Sequence, residues 1–232
     1  KKQFTARDGY QLNYRVLYPR DYNPAQKYPV ILFLHGAGER GSDNEAQLIH
    51  GGDMFASFEN QTKYPAHYSA SMPGREDLAE YKGLNAGKEG KRFYPLNAPA
   101  TQSMAAVKEL LDSYIAEGKV DTKRIYVTGL SMGGMGTFDI VMRYPNLFAA
   151  ATRSVVEQIA TFGKFKGKTA FSIYHGGSDS VVDVQFSRDA NEALKKAGAD
   201  VRYKEFPGVD HNSWDNAFAE PDYLAWMFQH SL

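Results

Sequence analysis

The stretch "YVTGLSMGGMGTF" (126–138) sets one serine between glycines, where two patterns meet. Ahead of the serine, "RIYVTG" (124–129) is a short apolar run, the mark of a strand buried on both faces. Behind it, "GGMGTFDIVMRY" (133–144) reads as a helix that must stop near Pro145. Gly129-Leu130-Ser131-Met132-Gly133 fits G-x-S-x-G. In that context the serine occupies a sharp, strained strand-to-helix turn, and the glycines keep bulk out of it. The helix behind points its N-terminus at the serine, and that end favours developing negative charge.

Outward from this junction the chain alternates. "QFTARDGYQLNYRVLYP" (3–19) reads as a β-hairpin with Asp8-Gly9 at its turn. Val30 to Leu34 is a continuous apolar run and a second buried strand. Residues 38–60 read as a loop with a short helix, and "YPAHYSASMP" (64–73) as another strand. Residues 74–100 form a long Gly-, Lys- and Asn-rich connection, a possible lid over an active site. Met104, Val107, Leu111 and Ile115 recur at three- and four-residue steps and predict a helix, with Thr101 or Ser103 as cap and Gly118 as stop. "FAAATRSVV" and "TAFSIYHGG" are two more strands, and "SRDANEALKKAG" an amphipathic helix. "VRYKEF" is the last strand and "PDYLAWMFQH" a closing helix with Pro221 near its first turn. This order predicts an α/β fold: one domain over 1–232, a mostly parallel sheet with helices on both faces and an antiparallel N-terminal hairpin.

Composition narrows the function. A chain of 232 residues is long enough to bury a sizeable core. Charges balance, 27 basic against 27 acidic, without a basic stripe, so a nucleic-acid partner is not expected. No apolar run approaches the ~20 residues of a membrane span. The absence of cysteine excludes disulfides, catalytic thiols and thiolate metal sites. The chain opens on Lys-Lys-Gln, consistent with a removed leader or an expression remnant. A secreted or periplasmic location is expected, with the cytoplasm as the alternative.

A serine hydroxyl is a poor nucleophile until a base takes its proton, so a base and an acid should follow downstream. His211, in "GVDHNSWD" after the last strand, lies at the same sheet edge as Ser131 and is the expected base. The acid orients the imidazole and stabilises its charge. Asp179, early in the loop after the strand Thr169–Tyr174, is favoured over Asp183, which should flank the next helix. Glu157 stands third, and Asp210 adjoins His211 too closely to reach its ring. An oxyanion needs two backbone N–H groups. Met132 should give one, and Ala37, flanked by Gly36 and Gly38 in "LHGAGERG", the other. His35 reads as a residue that fixes this loop.

These residues carry a resemblance. The chain resembles an α/β-hydrolase, and more narrowly the bacterial esterases grouped with polyhydroxybutyrate depolymerase-like, feruloyl and phospholipase/carboxylesterase proteins. The matching stretches are "YPVILFLHGAGERGSDNEAQL" (28–48), "DTKRIYVTGLSMGGMGTFDIVMRYPNLFAAA" (121–151), "HGGSD" (175–179) and "FPGVDHNSWDNAF" (206–218). The resemblance implies Ser131 as nucleophile, Asp179 as acid, His211 as base and Ala37 and Met132 as oxyanion donors. It sets Trp214 at a position that packs at the active-site rim, with plain core packing as the alternative.

Two stretches depart from that pattern, "AHYSASMPG" (66–74) and "ATRSVVEQIATFG" (151–163), and both should end near the site's mouth. Arg153, in a central strand, needs a partner or water. The leading expectation is a serine carboxylic-ester hydrolase that needs no cofactor or metal. Its substrate would be a small-molecule or polysaccharide-linked ester with a short or aromatic (feruloyl-type) acyl group. A scaffold that binds without chemistry and a serine peptidase are the alternatives.

Overall fold

The computed structural model describes residues 1–72, 99–154 and 162–232. Strands β1 (Lys2–Thr5) and β2 (Gln11–Leu17) form the N-terminal antiparallel hairpin. Asp8 accepts the Tyr10 N–H at 2.9 Å, and Gly9 takes φ +89°, which only glycine adopts cheaply. Strand β3 (Tyr28–Leu34) follows, then short helices α1 (Gly52–Ala56) and α2 (Phe58–Lys63), and β4 (His67–Met72). Helix α3 (Gln102–Ala116) leads to β5 (Val120–Leu130), α4 (Met132–Arg143), β6 (Ala150–Ser154) and β7 (Ala170–Gly176). Helix α5 (Gln185–Lys196), β8 (Val201–Phe206), α6 (Ser213–Phe218) and α7 (Tyr223–Phe228) complete the chain.

The described strands form one sheet in the order β1-β2-β4-β3-β5-β6-β7-β8. β1 and β2 are antiparallel to their neighbours, and every pair from β4 to β8 is parallel. This is the fold class the sequence predicts. Alternation along β3 shows why its whole run is apolar. Val30, Leu32 and Leu34 join one core with Val107, Leu110 and Leu111 of α3 and Ile140 and Val141 of α4. Ile31 and Phe33 point to the other core, with Phe55, Tyr126, Leu224 and Met227. Burying each such side chain contributes roughly 1.5–3 kcal/mol.

Helix α3 starts where its cap predicts, with Thr101 Oγ1 accepting the Met104 N–H at 3.2 Å. It stops at Gly118, whose φ is +75°. The C-terminal segment differs from expectation. The expected closing helix over 221–230 is helical only from Tyr223 to Phe228, because the chain tightens there and His230 N–H bonds the Met227 carbonyl at 3.1 Å. An additional helix, α6, follows the His211 loop; its six residues are too few to show a helical period. Strand β5 is also longer than "RIYVTG", since Val120–Lys123 continue it backward. Residues 74–98 of the expected lid and Glu157 lie outside the described residues.

Candidate active site

Ser131 sits at the carboxyl end of β5 with φ +50° and ψ −117°, a conformation costly for any residue with a Cβ. Two backbone hydrogen bonds hold it there. Its N–H bonds the Ser154 carbonyl at the end of β6, at 3.1 Å, and its carbonyl accepts the Met135 N–H in the first turn of α4. Gly129 and Gly133 make the sharp turn possible. A Cβ on Gly129 would stand 2.2 Å from the Gly133 carbonyl oxygen, and one on Gly133 would stand 1.9 Å from the Leu34 carbonyl oxygen.

Ser131 Oγ lies 2.9 Å from His211 Nε2. His211 Nδ1 lies 3.0 Å from Asp179 Oδ2 and 3.2 Å from Oδ1. A single chain of hydrogen bonds thus joins residues from the ends of β5, β7 and β8. The Asp179 side chain is fully buried, and Oδ1 also accepts the N–H groups of Val181 and Val182, each at 2.9 Å. Burial pushes the Asp179 pKa up, but the donors from Val182, His211 and Val181 outweigh it, and the net direction is down. Asp179 is therefore a carboxylate at neutral pH. Asp183 is placed otherwise: it accepts the Gln185 N–H at 2.8 Å at the start of α5.

The loops that carry Asp179 and His211 are stitched together. Ser178 N–H bonds the Val209 carbonyl and Gly177 N–H the Phe206 carbonyl. The approach is so close that a Cβ on Gly176 would stand 2.3 Å from the carbonyl oxygens of Val209 and Asp210. Asp210 adds a brace the sequence did not reveal. Its Oδ1 accepts the Ser180 N–H and the His211 N–H, both at 2.7 Å, and Ser180 Oγ donates to the same carboxylate. Asp210 thus binds the backbone of His211, not its ring. From below, Ser154 and Ser213 hydroxyls meet at 2.6 Å and tie β6 to the start of α6.

Ala37 opens a 3-10 turn over Ala37–Glu39, and Met132 opens α4, so each carries a backbone N–H at a helix start with no partner inside its own helix. The Ala37 carbonyl accepts Arg40 Nε at 2.6 Å. His35 lies beneath, with Nδ1 donating to the Gly36 carbonyl at 2.6 Å. Burial drives the His35 pKa down to about 4, so the ring is neutral and fixes the loop. Trp214 packs edge-on against His211, with ring centroids 5.4 Å apart, and its ring also meets His50 at 5.3 Å. It is half-buried. Arg153 is buried in β6, with its guanidinium 3.6 Å over the Phe138 ring.

A strained serine turn at the carboxyl edge of a mostly parallel sheet, backed by helices and an antiparallel hairpin, defines an α/β-hydrolase. The chain belongs to the phospholipase/carboxylesterase family (Abhydrolase_2), which it matches over residues 96–221. It is 28% identical over 202 residues to a probable carboxylesterase SOBER1-like protein of Arabidopsis thaliana, covering 78% of this chain and 72% of that one. It is 22% identical to acyl-protein thioesterase 1 of Neurospora crassa, covering 82% of each. A solved thermostable esterase superposes with a TM-score of 0.84 at 31% identity. All of this chain is covered in that match, and it spans 62% of the thermostable esterase's length. The class is therefore a carboxylic-ester hydrolase. Among the described residues no helix is long and apolar enough to cross a membrane.

Proposed function

We propose that this protein hydrolyses carboxylic esters through a covalent acyl-serine, with Ser131 as nucleophile, His211 as base and Asp179 as acid. The observation that carries the reading is the hydrogen-bond chain from Ser131 Oγ through His211 to a buried carboxylate. His211 Nε2 takes the serine proton as Oγ attacks the ester carbonyl. Asp179 holds Nδ1–H and stabilises the imidazolium. The N–H groups of Ala37 and Met132 receive the oxyanion, helped by the N-terminal end of α4. His211 then protonates the leaving alcohol, and water repeats the sequence on the acyl-enzyme. No step calls for a cofactor.

The substrates we propose are small-molecule or polysaccharide-linked esters with short or aromatic acyl groups. Trp214 supports this, because its aromatic ring stands 5.4 Å from the His211 ring and would give an acyl group an apolar surface. The test is hydrolysis of p-nitrophenyl acetate, p-nitrophenyl butyrate and methyl ferulate by wild type and Ser131→Ala. Turnover lost by at least about a thousandfold in the variant is expected. Equal rates in two folded proteins would sink the reading and leave a non-catalytic scaffold. The order of the three substrates sizes the acyl pocket.

A further inference from the structure

Asp179 lies between two imidazoles, and the proposed mechanism uses one of them. His175, the penultimate residue of β7, is fully buried, and its Nε2 stands 3.1 Å from Asp179 Oδ2. The same Nε2 is 3.1 Å from the Val182 carbonyl oxygen. Both neighbours of Nε2 only accept, so Nε2 carries the ring proton. On the other side, Nδ1 meets the hydroxyl of Ser187, a buried residue of α5 that is free to donate. Burial favours the neutral ring and outweighs the Asp179 charge.

The carboxylate needs this donor for a geometric reason. The torsion that turns a carboxylate about its Cβ–Cγ bond is broad and poorly fixed by its own sterics. Val181 and Val182 N–H groups hold Oδ1. Without His175, Oδ2 would keep, among the described residues, only His211 as a side-chain donor. We propose that His175 is a positioning residue: it donates Nε2–H to Asp179 Oδ2, fixes the carboxylate plane and so aims His211 at Ser131. Ser187 sets the tautomer by donating to Nδ1. The inference rests on the proposed roles of Ser131, Asp179 and His211.

The test compares His175→Gln, whose amide nitrogen reaches the place of Nε2, with His175→Asn, which is too short. On p-nitrophenyl acetate, kcat of the Asn variant should fall at least about tenfold below that of the Gln variant, with KM within about twofold. In an Asp179→Asn background the two should differ by less than about twofold, because the positioning acts through that carboxylate. Equal kcat values in the wild-type background would overturn the inference. So would the same ratio in both backgrounds, which would mean a general packing role. Ser131→Ala separates the two claims: if it kept turnover, the nucleophile assignment would fall first. If it lost turnover while the His175 variants matched, only the positioning role would fall.

Discussion

The α-carbon of Gly133 faces the carbonyl oxygen of Leu34 so closely that an added methyl would stand 1.9 Å from it. The contact locks the first turn of α4 onto the end of β3, where the loop that carries Ala37 begins. Glycine inside a helix normally costs stability relative to alanine. Here the sign reverses, because the obstacle is backbone and cannot swing away. Gly133→Ala should destabilise by at least about 3 kcal/mol in urea unfolding. Wild-type stability in that variant would show that the two elements can part.

Ser131 carries the opposite signature. Its φ of +50° strains a residue with a Cβ and suits glycine. Ser131→Gly should therefore raise unfolding free energy by about 1–3 kcal/mol while it removes turnover. A less stable variant would mean that contacts of the hydroxyl outweigh the strain.

Asp179 and Asp183 sit four residues apart in different settings. Asp179→Asn should lower kcat by about a thousandfold or more, since the amide cannot stabilise the imidazolium. Asp183→Asn should leave kcat within about twofold, because it bonds only the start of α5. The reverse result would move the acid to Asp183.

Asp210 is exposed, yet its carboxylate spans the Asp179 loop at Ser180 and the backbone of His211. Asp210→Ala should cut kcat about tenfold through a misplaced base, while the thermal midpoint moves little. Unchanged kcat would show that the backbone bonds between the two loops suffice.

His35 links pH to stability. Its folded pKa is about 4, below the ordinary 6.5, so the unfolded chain binds the proton more readily. The stabilisation is complete above about pH 6.5 and is lost as pH falls toward 4. Between pH 8 and pH 5 this residue alone accounts for about 2 kcal/mol at most. His35→Asn should flatten that part of the stability profile, read by urea unfolding at the two pH values. An unaltered slope would assign the loss to other groups.

The sequence was most legible where local chemistry and global fold agree. G-x-S-x-G between an apolar strand and a helix admits few structures, so the sequence alone places Ser131 at a sheet edge. Chain order then brought His211 and Asp179 to the same edge, and the structure sets all three within hydrogen-bonding distance. Asp183 was separable because a carboxylate two residues ahead of a helix tends to bond its first turn. The His175 contact was not legible. A histidine ahead of a glycine at a strand end looks the same whether it faces solvent or a buried carboxylate. The Asp210 brace was hidden too, because it depends on two loops 30 residues apart. Helix α6 escaped because six residues show no period.

The sheet order has a further consequence for how the chain comes alive. The serine stands on β5, the carboxylate follows β7 and the imidazole follows β8, so 80 residues separate Ser131 from His211. The three residues come together only when the parallel pairings β5–β6, β6–β7 and β7–β8 have all formed. Non-local pairing of this kind is slow. On the proposed reading of Ser131, an emerging or refolding chain therefore carries an inert serine until its far edge closes. Recovery of turnover marks the end of folding, not its beginning.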